Sequence, residues 1–201
     1  MKSHGVLKVA QPYMMGGVAA LLFSCSAFAH PGHGLSGFVS GFAHPMTGID
    51  HILCALAVGI LAVNKNRKIN YEIPMVFIIA MICGILIGRS GIAIPFYEQG
   101  ITLSLILLGI CVVFGSRLNS LSSLALVACF GVLHGNAHGI EVDNGSLSFS
   151  AIFGLLFATS ILLTIGTGLA LIIRKSLADE RATWAMNILG AIIVGSAFIL
   201  K

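Results

Sequence analysis

Residues 149–173, FSAIFGLLFATSILLTIGTGLALII, run without a single charged side chain. A helix rises 1.5 Å per residue, so about 20 apolar residues cross the roughly 30 Å hydrocarbon core of a bilayer. This stretch is long enough to do so. Five further apolar stretches accompany it, and the six run approximately over 36–63, 73–90, 99–116, 121–141, 149–173 and 183–200. Short polar connections separate them, and no segment remains from which to build a soluble domain. The expected fold class is an all-α polytopic membrane protein with six transmembrane helices. Composition agrees, since 57% of the chain is hydrophobic, only 9% is charged and the mean hydropathy is +1.02. A soluble domain carries about 25% charged residues. The same figures exclude disorder, a coiled coil and a disulfide scaffold. The net charge of +4 is spread thinly between apolar blocks and offers no nucleic-acid surface.

Upstream of the first span lie Lys2 and Lys8, an apolar run from Val18 to Phe23, and Ala27-Phe28-Ala29. A basic start, an apolar centre and an A-x-A end read as a secretory signal peptide over residues 1–29, cut after Ala29. The remaining domain, 30–201, then begins at His30. An uncleaved first helix is the competing reading. A lipidation box at Leu22-Phe23-Ser24-Cys25 is disfavoured by the bulk of Phe23. With His30 exported, the inner loops hold Lys65, Arg67, Lys68, Arg117, Arg174, Lys175 and Arg181, while the outer side keeps only Arg89 and Lys201. Seven basic residues against two place the N-terminus outside, by the excess of Lys and Arg that cytoplasmic loops carry. Cys25 leaves with the signal. Cys54, Cys83, Cys111 and Cys129 lie in apolar runs without a CxxC pair, so they read as small buried hydrophobes rather than a redox or zinc motif.

The chain carries seven His, as many as its Asp and Glu together, although lipid-embedded chains avoid side chains that water must solvate. Four of them sit inside two spans. Span one contains His44-Pro45-Met46-Thr47-Gly48-Ile49-Asp50-His51, and span four contains His134-Gly135-Asn136-Ala137-His138-Gly139-Ile140-Glu141. Ionisable groups at that depth cost a few kcal/mol each and persist where they face a cavity, a partner or an ion. At 3.6 residues per turn, His134, His138 and Glu141 project from one helix face. His44 and His51 share a face if their helix stays regular through Pro45, and Asp50 lies about 100° round from His51. There Asp50 either joins the ligand set or holds an imidazole by its other nitrogen. Pro45 and Gly48 are expected to bend the helix and free backbone carbonyls beside the site. Imidazole with carboxylate suits a borderline transition metal, whereas Mg²⁺ and Ca²⁺ prefer oxygen.

Gly131, Gly135 and Gly139 form a stripe about 100° from the His stripe, Gly37 with Gly41 repeats it in span one, and Gly84 with Gly88 in span two. Small residues let helices approach closely, which is expected to bring spans one and four together. Gly41-Phe-Ala-His44 and Gly131-Val-Leu-His134 begin alike three helices apart, as in a 3+3 inverted repeat. Beyond the cut, His30 and His33 would present a free amine and imidazoles, which either capture metal outside the membrane or form a plain polar tail. Pro31 blocks the square-planar amino-terminal chelate, because it has no amide hydrogen to lose.

His44-x5-Asp50-His51 in the first span and His134-Gly-x-Ala-His138-Gly-x-Glu141 in the fourth, behind a signal and His-Pro, make the mature chain resemble the HupE/UreJ family of nickel permeases. The resemblance implies that His44, Asp50, His51, His134, His138 and Glu141 handle the metal, with Glu98 in Pro95-Phe-Tyr-Glu98-x-Gly100 a weaker candidate. One departure is visible, because Ile52-Leu53-Cys54-Ala55 stands where Leu-Leu-Ala-Met is expected. The implied activity is secondary uptake of Ni²⁺, or of Co²⁺, from periplasm to cytoplasm across a bacterial inner membrane, to supply metalloenzyme maturation. Neutral imidazole is the ligand form, so uptake would respond to pH. No prosthetic cofactor is expected, and the partners are a divalent transition-metal ion and the lipid bilayer, with a homo-oligomer left open. No phosphate-binding GxxxxGK[ST] loop occurs, so the chain itself does not hydrolyse ATP. The alternative class is an intramembrane metal-dependent hydrolase, since His134-x3-His138 superficially resembles HExxH. However, Gly135 stands where that motif needs its glutamate base. A metal sensor would need a cytoplasmic domain that the chain lacks.

Overall fold

A computed structural model describes residues 37–63, 68–114, 119–141 and 148–200, the side chain of Glu141 excepted. The expected signal peptide, its cleavage point, His30 and His33 lie outside the described residues. Those described form seven helices: α1 Phe38–Thr47, α2 Ile49–Leu61, α3 Glu72–Arg89, α4 Tyr97–Phe114, α5 Ser120–Glu141, α6 Phe149–Ser176 and α7 Asp179–Ile199. Helices α3 to α7 are each long and apolar enough to cross a bilayer, and α1 with α2, bent by 83° where they meet, is long and apolar enough for a sixth crossing only when the two are taken together. The chain is an all-α, multi-pass membrane protein. Two ends differ from expectation for an electrostatic reason. Helix α6 continues to Ser176, taking Arg174 and Lys175 into its last turn, and α7 starts early, with Asp179 and Glu180 in its first. Cations suit a helix C-terminus and anions an N-terminus, so these charged residues extend their helices rather than end them.

Lipid is as apolar as leucine, so helices in a bilayer associate through close packing rather than through the hydrophobic effect. The most extensive packing pairs α3 with α5, α4 with α7, and both α1 and α2 with α6. Glycines make these approaches. A Cβ on Gly135 would overlap the Met81 carbonyl, and one on Gly84 the Val132 carbonyl. On the other pair, a Cβ at Gly41 would overlap the Ala151 carbonyl, and one at Gly166 the Leu56 carbonyl. The glycine stripe of span four therefore seats span two, which corrects the expectation that it would join spans one and four. A stripe specifies a small surface and leaves the partner open. With that stripe occupied by α3, the His face of α5 stays available to α1 and α2. Exchanging spans 1–3 with spans 4–6 leaves this pairing unchanged, yet span four is continuous where span one is broken.

Ile79, Leu86, Ile172 and Phe198 are exposed on the outside of the bundle, as a lipid-facing surface requires. Cys54 and Cys111 are buried as expected, whereas Cys83 and Cys129 face outward. A small apolar side chain is equally at home against lipid. Among the described residues the only non-helical pairing is an isolated bridge between Val63 and Ile69, closing the connection from α2 to α3.

Candidate metal site

The site begins at the break in span one. Pro45 is buried inside α1 and does not end it. The chain leaves the helix at Gly48, whose φ of −84° and ψ of 111° are extended. Thr47 Oγ1 donates to the His44 carbonyl at 2.9 Å, and the Gly48 amide reaches the same oxygen at 3.4 Å, so this C-terminal acceptor is satisfied locally. Asp50 then stands in the first turn of α2. Its Oδ1 accepts from the backbone amide of His51 at 2.9 Å and lies 2.8 Å from His51 Nδ1. A Cβ on Gly48 would come within 2.8 Å of His51 Nδ1 and 2.9 Å of Asp50 Oδ1, so a larger residue there would push this pair out of place. Of the two residues expected to bend the helix, Gly48 does so, and Asp50 holds the His51 ring.

The hydrogen bond also assigns the imidazole. A carboxylate accepts only, so Nδ1 of His51 carries a proton, and in the neutral ring Nε2 keeps its lone pair. On α5, His134 Nδ1 lies 2.9 Å from the Phe130 carbonyl and donates to it, which frees His134 Nε2 in the same way. The Nε2 atoms of His51 and His134 are buried without a hydrogen-bond partner among the described residues. His134 and His138 are each only 2% exposed, whereas His44 is exposed at the rim. One nitrogen from each of His44, His51 and His138 lies within 4.8 Å of the others. Two ligands on one ion at about 2.1 Å are at most about 4.2 Å apart. The three would have to draw together by small ring rotations to share a single ion. Ring centroids are 4.9 Å apart for His44–His138, 4.8 Å for His51–His138, 5.7 Å for His44–His51 and 5.5 Å for His51–His134.

The structure thus brings together four of the six strongest candidates, with Asp50 holding one of them. Glu141 is the last residue of α5, and its side chain lies outside the described residues. Glu98 is exposed in the first turn of α4, near Tyr97, and stands outside the close histidine group. Cys54 is buried in the core, 3.9 Å from the Ser104 hydroxyl, and is likewise outside that group. Asn136 had no assigned role, yet it is 0% exposed between the two α5 histidines. Its Oδ1 accepts from the Ile94 amide and its Nδ2 donates to the Ile92 carbonyl, both at 2.8 Å, fastening the α3–α4 connection to α5. An amide inside an apolar helix was the signal that could have marked it.

The family described as HupE / UreJ protein matches this sequence over residues 18–200. The chain belongs to the HupE/UreJ family. Among curated relatives, Protein HupE of Rhizobium leguminosarum bv. viciae is 37% identical over 153 residues, covering 76% of this chain and 80% of that protein. No solved structure matches the chain. The two polar motifs, the first of them interrupted at Gly48, are therefore features of a HupE/UreJ member and lie on helices α1, α2 and α5.

Proposed function

We propose that this HupE/UreJ protein is a secondary permease that takes Ni²⁺, or Co²⁺, from the periplasm across the inner membrane to supply metalloenzyme maturation. The observation that supports this most is the convergence of His44 and His51 from span one and His138 from span four, one nitrogen of each within 4.8 Å of the others. In this reading the ion exchanges part of its water shell for imidazole nitrogens, and Asp50 keeps His51 presenting Nε2. Exposed His44 receives the ion, and buried His134 and His138 carry it inward. Glu141 joins the histidines in handling the ion, and Glu98, and His30 with His33 behind a cleaved signal, act as auxiliary ligands on the outer side. Three imidazoles with water completing the sphere bind strongly enough to capture an ion and loosely enough to release it. The hydrolase alternative loses ground at Gly135, where the packed Met81 carbonyl leaves no room for a glutamate base.

Uptake of Ni²⁺, Co²⁺ and Zn²⁺ into proteoliposomes containing the purified chain tests the proposal. His138→Ala and Asp50→Ala are expected to cut Ni²⁺ or Co²⁺ uptake about 10–100-fold while leaving the amount of membrane protein unchanged. Equal uptake by both variants and the unaltered protein would remove the assignment.

A further inference from the structure

Resting on that permease reading, we infer that the four histidines make two successive ion positions, with His51 common to both. His44, His51 and His138 form the outer one, and His51 with His134 the inner one.

Three observations carry this. The group of mutually close nitrogens contains His44, His51 and His138 but not His134. His134 instead has His51 as its histidine neighbour, at 5.5 Å between ring centroids, with Phe77 on another side at 6.0 Å. Finally, His134 Nδ1 is committed to the Phe130 carbonyl, while its Nε2 is buried with no hydrogen-bond partner in a side chain only 2% exposed. A buried acceptor left unmade is costly, so a lone pair held there by a fixed tautomer points to something that passes and binds. One helical turn, about 5–6 Å, separates His134 from His138 along α5. Under the orientation read from loop charge, that step leads toward the cytoplasmic Ser120 end.

Sharing His51 lets ligands exchange one at a time. The bonds to His44 and His138 break as the bond to His134 forms, water completes the sphere on both sides, and the ion is never stripped of all its ligands. His134 therefore governs onward movement rather than capture.

The experiment uses the full-length purified protein with Co²⁺ as probe, measuring equilibrium binding, the visible Co²⁺ absorption spectrum and proteoliposome uptake. His44→Ala and His138→Ala are expected to weaken Co²⁺ binding about tenfold or more. His134→Ala should bind within about threefold of the unaltered chain with the same spectrum, while its maximal uptake rate falls about tenfold or more at a nearly unchanged KM. If His134→Ala weakens binding and shifts the spectrum as His138→Ala does, all four histidines share one site and the inference is wrong. Undiminished uptake by His134→Ala would overturn it as well, leaving His134 a packing residue. Should that variant fail to accumulate, His134→Asn, whose amide nitrogen stands where Nδ1 stood, keeps a donor for the Phe130 carbonyl without a group at the Nε2 position and is read by the same criteria. If His44→Ala and His138→Ala also bind and transport normally, the permease site itself fails, and the two-position scheme with it.

Discussion

Spans one and four each bring two histidines and a carboxylate into the bilayer, yet they present them in opposite ways. Helix α5 is continuous, and its two histidines stand one turn apart on a buried face whose depth and spacing follow from helical geometry alone. Span one is broken at Gly48, and the break does the positioning. It leaves His44 at an exposed rim, starts α2 with Asp50, and turns His51 inward by a bond from its own neighbour. The glycines differ accordingly. Gly135 and Gly139 in span four are small so that α3 can approach, whereas Gly48 is small so that Asp50 and His51 can meet. One span carries its histidines on a fixed scaffold and the other on a joint.

Three substitutions probe that contrast, and the largest effect is expected on the scaffold. Gly135→Val drives a side chain into the Met81 backbone, and overpacking of this kind costs about 3 kcal/mol or more because no flexible atom can yield. The expected outcome is a sharp loss of detergent-extractable, monodisperse protein; a normally folded variant would mean that α3 and α5 are not held by this contact. Gly48→Ala should leave folding intact, since α1 and α2 are seated on α6 elsewhere, and lower metal uptake about 10–100-fold by displacing the group that orients His51. Full transport by this variant would erase the distinction drawn between joint and scaffold. The smallest effect belongs to Asn136→Ala. It removes two buried hydrogen bonds, worth about 1–2 kcal/mol together, from the α3–α4 connection. Thermal stability should fall modestly, and a cysteine placed at Ala93 should react faster with a thiol reagent, while uptake changes less than about threefold. A strong uptake defect would move Asn136 into the ion path.

The same contrast explains what was legible in the sequence. Apolar run length announced every span, because crossing lipid is a demand on composition and length that a single stretch satisfies alone. The His134–His138 ladder was equally legible, since a regular helix turns spacing into direction. Other features depend on a partner. The Gly131–Gly135–Gly139 stripe identified a close approach, but the residues that would say whether α3 or α1 fills it lie on both helices at once. Pro45 and Gly48 both signalled a bend, and nothing local decided between them. The decisive fact is the Asp50–His51 pair, which a side chain at position 48 would crowd. Asn136 escaped notice because its two acceptor and donor partners are backbone groups of a loop, and any residue there would have supplied them.

The break in span one also bears on the order in which the protein is made. Helix α1 has ten residues and spans about 15 Å, half of the hydrocarbon core. The aspartate that follows costs about 3 kcal/mol in an isolated inserting helix. Span one is thus a poor passenger through the insertion machinery, and the surface that receives it, from Ala151 to Thr167 on α6, is synthesised roughly a hundred residues later. Until α6 emerges, the segment that carries His44 and His51 has nowhere to dock. Truncated or stalled chains ending before span five should be surrendered to membrane quality control with their first span still unsettled.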